Sequence, residues 1–212
     1  MPFLLTFGDS NTHGTPPIVT RGDYHRFDAA TRWPTRAHAA LGPGWELAEA
    51  GLPGRTAQFA DPVMGDHMNG QWGLKIALQS HGPVDVMTLM LGTNDVKTRF
   101  GASPDMVTAG IAGLLDIALG QEMQTRHGGF KVLLICPPPV QELGPIASEF
   151  IGSAAKSQAL APLYAALAAA RGIGFLNAGQ VIKTSPVDGI HYDKLAHAAL
   201  ADAVAGAIKA MI

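Results

Sequence analysis

Five short apolar runs punctuate the chain, separated by longer segments. The runs cover residues 3–7, 45–50, 84–91, 131–136 and 173–177. Runs of this length between longer connections read as buried strands of a parallel sheet. Several connections carry a helical period. Val107, Ile111, Leu114, Leu115 and Ala118 share one helix face, behind a start signal at Ser103-Pro104-Asp105. A capping serine there precedes proline at the first helical position and an acid near the positive end of the helix dipole. Leu160, Leu163, Tyr164 and Leu167 mark a further helix, and Leu200, Val204, Ile208 and Met211 the last. A helix starting near Trp33-Pro34 should stop before Gly42-Pro43-Gly44. These stripes are core faces and receive no functional role. The pattern predicts an α/β protein with helices on both faces of a five-stranded parallel sheet. No repeat or linker interrupts it, so residues 1–212 read as one domain.

Three stretches lack a period. Residues 15–32 form a long loop after the first strand, the kind that shapes a site at the sheet's carboxyl edge. Residues 58–73 read as a second irregular segment, whose Met64, Met68 and Trp72 either line a pocket or tether the loop. Pro137-Pro138-Pro139 forces an extended exit from the fourth strand. Beyond it Leu143, Ile146, Phe150 and Ile151 are candidates for acyl-pocket walls or an oligomer contact.

Charge narrows the choice of partners. Lys+Arg 15 against Asp+Glu 17 gives a formal net charge of −2, with no basic surface for nucleic acid and no polybasic patch for a membrane. Met1-Pro2 leads straight into the first strand, without a signal-peptide pattern. No apolar stretch approaches the ~20 residues of a membrane span. A cytoplasmic protein is expected. Cys136 is the single cysteine, which rules out an internal disulfide and suits a small core residue. The low charge also fits an apolar face covered by a second copy, although an Ala-rich core accounts for the same composition.

The candidate chemistry starts at Gly8-Asp9-Ser10, where a serine arrives at the end of the first strand. Ligands of open α/β sheets bind just outside the carboxyl ends of the strands. A serine hydroxyl needs a base to take its proton and a carboxylate to orient that base. Asp188-Gly189-Ile190-His191 supplies both in one turn, before the last helix. An isolated Asp-x-x-His is more often a turn with a surface histidine. His13, three residues after the serine, is the rival base and has no fixed carboxylate partner. His25 and His67 stand in loops that border the region, and His38, His81, His127 and His197 in helix or surface positions. None forms a metal signature such as His-Glu-x-x-His, and no cofactor is expected. Asp9 braces the serine turn. Leu91-Gly92-Thr93-Asn94-Asp95 ends the third strand and offers the Asn94 amide as a donor to developing negative charge, with Asp95 anchoring the loop. Gly51-Leu52-Pro53-Gly54-Arg55-Thr56 ends the second strand, and its glycines permit close approach of a backbone N–H. The same loop could cradle a phosphate, so a flavodoxin-like nucleotide- or flavin-binding module is the non-enzyme alternative. No G-x-x-x-x-G-K-[ST] or G-x-G-x-x-G supports it.

These four motifs, in this order and spacing, resemble those of the SGNH (GDSL-type) hydrolases. The resemblance implies a three-layer α/β/α sandwich of flavodoxin-like type with strand order 2-1-3-4-5. It implies Ser10 as nucleophile, His191 as base and Asp188 as its orienter. The Ser10 and Gly54 N–H groups and the Asn94 side chain would form the oxyanion hole. Arg26-Phe27, Arg32-Trp33, Gly51-Leu52, Arg55-Thr56, Asp61-Pro62 and Pro137-Pro138-Pro139 are further similar to the bacterial arylesterase/acyltransferase (perhydrolase) branch. That branch implies a homo-oligomer acting on small acyl esters, with transfer to alcohols or peroxide beside hydrolysis. Sugar deacetylases share the motif set, so carbohydrate acetyl esters are the alternative substrate. The chain departs at Asn11, where many members carry leucine, and at His13, where the branch carries tryptophan. Asn11, His13 and Asp95 are therefore the candidate substrate-binding residues.

Overall fold

A computed structural model describes residues 1–212. Strands β1 (Phe3–Gly8), β2 (Glu46–Gly51), β3 (Val86–Met90), β4 (Lys131–Cys136) and β5 (Gly174–Asn177) form one parallel sheet in the order β2-β1-β3-β4-β5. Each lies within two residues of its apolar run. The helices are α1 (Ser10–His13), α2 (Trp33–Leu41), α3 (Gly70–Ser80), α4 (Pro104–Leu119), α5 (Gln121–His127), α6 (Ser153–Gln158), α7 (Leu160–Arg171) and α8 (Lys194–Met211).

The central strands β1, β3 and β4 are buried on both faces because both faces of the sheet are covered, while the edge strands β2 and β5 are only partly buried. Side chains alternate across the pleat. Leu5, Phe7, Met87, Leu89, Val132 and Leu134 face one core, packed by Leu74 and Leu78 of α3, Val107, Ile111, Leu114 and Leu115 of α4, and Leu160 and Tyr164 of α7. Leu4, Val86, Met90, Leu133 and Ile135 face the other, against Trp33 and Ala37 of α2 and Leu200, Ala201, Val204 and Ile208 of α8. Three layers result. Cys136 lies in the first core, where burial pushes its thiol up to about 12 and leaves it inert as a nucleophile.

The chain steps from β1 outward to β2 and then back across β1 to β3. The β1–β3 pair is thus the topological switch point, where flanking connections diverge and open a crevice. The loops after both strands, carrying Ser10 and Asn94, meet there.

One segment differs from expectation. Residues 58–73 are not irregular throughout: a 3-10 turn covers Asp66–Met68, and α3 begins at Gly70. Asn69-Gly70 has the composition of a turn, but Asn69 is a helix cap, its side chain accepting from Gln71 N at 3.0 Å. Trp72 is consequently on a helix, 65% exposed and off the Ser10 cavity, while Met68 is buried. No helix is long and apolar enough to cross a membrane.

Candidate active site

Ser10 is the first residue of α1, two residues beyond Gly8, the end of β1. The turn is tight. A Cβ on Gly8 would stand 2.0 Å from Thr12 Oγ1 and 2.7 Å from Met90 O, so only glycine lets the chain bend back there. Asp9 caps the helix, accepting from Asn11 N at 2.9 Å.

His191 reaches Ser10 from across the sheet. Its Nε2 is 3.0 Å from Ser10 Oγ, and its Nδ1 is 2.6 Å from Asp188 Oδ2. The ionised carboxylate only accepts, so Nδ1 carries the proton and Nε2 is left as an acceptor for the serine hydroxyl. Asp188 is fully buried and fully engaged. Its Oδ2 also accepts from Ile18 N at 2.7 Å, and its Oδ1 from Ile190 N and His191 N at 3.0 and 2.9 Å. Burial alone would raise its pKa; the His191 hydrogen bond and charge, with the backbone donors, outweigh that and hold it below the usual aspartate value. The Ile18 bond also ties the long loop after β1 to this carboxylate.

Donors gather beside the serine. Ser10 N–H heads a helix and has no intrahelical acceptor. Gly54, at φ +88°, donates its N–H to no protein acceptor. Its bare α-carbon faces Met64, whose Sδ would be 2.6 Å from a Cβ. Asn94 Nδ2 donates to Arg55 O at 3.1 Å and stands 3.5 Å from Asp9 Oδ2, the outer limit of a hydrogen bond. Ser10, Gly54, Asn94 and His191 line one cavity of about 380 Å³, within the size range of small-molecule sites.

Charged groups lie buried beneath it. Arg55 donates through Nη1 to Gly8 O at 2.9 Å and to Ala50 O, joining the ends of β1 and β2, and its guanidinium covers the Phe7 ring at 4.1 Å. Burial raises the Asp9 carboxyl to about 6 and the Asp95 carboxyl to about 7. Asp95 Oδ1 accepts from Ala57 N at 2.8 Å and so pins the loop that carries Gly54, while its Oδ2 has no partner. A carboxyl with a raised folded pKa binds its proton more tightly folded than unfolded. Its contribution to stability therefore falls as pH rises from the ordinary 3.8 through about 7. Asp95→Asn keeps the acceptor for Ala57 N and removes the titration. Denaturant titrations across that window should show the variant gaining on the wild type as pH rises. A difference independent of pH would contradict the raised carboxyl.

The three residues singled out for substrate contact lie off the cavity lining. Asn11 is buried and donates from Nδ2 to Ile190 O at 3.3 Å, fixing the turn beside His191. No hydrogen bond joins His13 to Ser10. His13 lies instead by Arg26, Arg32 and Glu49; burial and the two arginines lower its pKa, opposed by Glu49. Asp95 holds a loop. The walls come from elsewhere: Ile18, Met64, Ile146, Phe150 and Ile190, and a charged group of Lys97, Arg99 and Glu149. Ile146, Phe150 and Met64 were legible as candidate walls. Lys97 carried one signal, a lysine three residues after Asn94 in a chain with few charges. No three His, Cys, Asp or Glu side chains are placed to hold a metal ion.

Residues 6–199 match the GDSL-like Lipase/Acylhydrolase family, and the chain belongs to that family. Solved structures narrow the resemblance. A carbohydrate acetylesterase from Sinorhizobium meliloti is 33% identical over all of both chains, with a TM-score of 0.92. An aryl esterase from M. smegmatis is 32% identical over all of both chains, with a TM-score of 0.91. A member of the lipolytic G-D-S-L family from Veillonella parvula shares the fold at 14% identity, with a TM-score of 0.66 over 95% of each chain. No curated protein matches the sequence.

Proposed function

We propose that the protein is a serine esterase that cleaves small acyl esters through an acyl-enzyme on Ser10. The observation that carries this reading is the Ser10–His191–Asp188 hydrogen-bonded chain opening into a cavity. Ser10 Oγ attacks the ester carbonyl as its proton passes to His191 Nε2, and Asp188 stabilises the resulting imidazolium. The Ser10 and Gly54 N–H groups and Asn94 Nδ2 receive the oxyanion. His191 then protonates the departing alcohol, leaving the acyl group on Ser10. Water, activated by the same imidazole, attacks the acyl-enzyme, releases the acid and restores the serine.

The nucleotide- or flavin-binding alternative finds no support in the family. Two finer readings keep specific support. The identity to the Sinorhizobium meliloti carbohydrate acetylesterase, with a partly charged cavity wall, favours O-acetylated sugars as one substrate group. The apolar walls at Ile18, Ile146 and Phe150 favour an alcohol or peroxide as competing acceptor for the acyl group. Rates across acyl chain lengths and acetylated sugars, and product ratios in water with added alcohol, separate them. Asn94→Ala tests the oxyanion assignment. It should lower kcat on p-nitrophenyl acetate by about 10²–10³-fold, with a smaller change in KM. An unaltered kcat would remove Asn94 from the mechanism.

A further inference from the structure

Ester hydrolysis at Ser10 gives no role to a charged cluster on the cavity lining. Lys97, Arg99, Arg21 and Glu149 line the same cavity as Ser10 and His191. Lys97 is 6% exposed, with its ammonium 3.3 Å from Glu149 Oε2 and 5.5 Å from the Phe150 ring centre. Glu149 is shared: Arg99 donates to it at 2.9 Å and Arg21 at 3.2 Å. Arg99 has a second partner in Asp61, at 2.8 Å. Three cations thus meet two carboxylates. Asp23, the other acid on the lining, is exposed and pairs with none of them. Counting Asp23, cations and carboxylates around the wall balance, but Glu149 alone is shared by all three cations.

Lys97 is the member best placed to meet a substrate. Its backbone N–H donates to Asn94 O at 3.1 Å, so a single turn joins it to the amide beside Ser10. Burial raises the Asp9 pKa, and the Lys97 charge is near enough to oppose that rise. An ammonium has three donors, and the only acceptor that Lys97 meets is Glu149. The remaining donors have no protein acceptor, on a side chain that lines the cavity. A neutral substrate that fills the cavity leaves them unpaired, whereas an anionic group satisfies them.

We infer that Lys97 forms an anion subsite within the substrate cavity, and that the favoured substrates are esters bearing a carboxylate on the acyl or the alcohol side. This rests on Ser10 as the nucleophile. A half-ester of a dicarboxylic acid is the simplest such substrate. Its ester carbonyl sits at Ser10 and its free carboxylate meets Lys97, with Glu149, itself held by Arg99, keeping the ammonium in place.

Matched ester pairs test this. On the acyl side, the p-nitrophenyl half-ester of adipic acid is compared with its carboxamide; on the alcohol side, p-acetoxybenzoate with p-acetoxybenzamide. Each pair differs in charge and hardly in shape. In at least one pair the wild type should favour the carboxylate by about tenfold in kcat/KM, the scale of one charge-assisted hydrogen bond. Lys97→Met should bring that ratio to near one, and Lys97→Arg should retain most of it. No preference in either pair, in a wild type that turns over p-nitrophenyl acetate, overturns the subsite without touching the esterase reading. A preference that survives Lys97→Met also overturns it. A wild type that hydrolyses no ester at all removes the catalytic reading, and the subsite with it.

Discussion

His191→Ala is expected to lower kcat on p-nitrophenyl acetate by at least about 10⁴-fold, and Ser10→Ala by a similar factor. The serine hydroxyl has one base within reach, His191 Nε2 at 3.0 Å. Without it the hydroxyl must lose its proton to water, and the leaving alcohol departs unprotonated. The two residues act as a unit, so the double variant should be scarcely worse than either single one. Circular dichroism of each variant separates this loss from unfolding, because both side chains sit at the cavity and outside the two cores. A His191→Ala variant that kept substantial activity would turn attention to His13. His13 lies beside arginines that disfavour its protonated form and has no carboxylate bond of the Asp188 kind.

The second large effect is expected from Asp188→Asn, with a loss of about 10⁴-fold in kcat. Asparagine matches aspartate in shape but not in hydrogen bonding. Both Asp188 oxygens accept: Oδ2 from His191 Nδ1 and Ile18 N, Oδ1 from Ile190 N and His191 N. One end of an asparagine side chain must point an NH₂ at two N–H donors. If that end faces His191, the imidazole accepts at Nδ1 and carries its proton on Nε2, where it can no longer take one from Ser10. Ile18 N–H loses its acceptor as well, so the loop after β1 should loosen over the cavity. Kinetics should show the fall in kcat, and hydrogen exchange should show faster exchange at Ile18. Normal turnover with an unprotected Ile18 amide would confine Asp188 to a structural role.

Much of this arrangement was legible in the sequence because its signals are local. The apolar runs mark the five strands, the central three of them buried on both faces, and Ser103-Pro104 marks a helix start whose serine caps Met106 N at 3.2 Å. The Ser10, Gly54 and Asn94 motifs follow directly on β1, β2 and β3, the Asp188–His191 turn lies in the loop between β5 and α8, and a parallel sheet places all these connections on one edge. What was not legible depends on contacts distant in sequence. Asn69-Gly70 reads equally as a turn or as a helix cap, and neighbouring packing decides between them. His13 follows Ser10 by three residues yet faces another charge cluster. The Lys97–Glu149–Arg99–Asp61 group joins residues 61, 97–99 and 149, three loops that only the folded sheet brings together. His197 read as a helix or surface position. It is buried at the start of α8, where its Nδ1 accepts from Trp33 N at 3.2 Å and fixes α2 against α8.

The central claim is that Ser10 is an activated nucleophile, and covalent labelling tests it most directly. The folded protein is treated with a fluorophosphonate, digested, and its peptides mapped by mass. One adduct is expected, on Ser10, and it is lost in His191→Ala although the serine remains. No adduct on Ser10, or one that forms equally fast without His191, would contradict it.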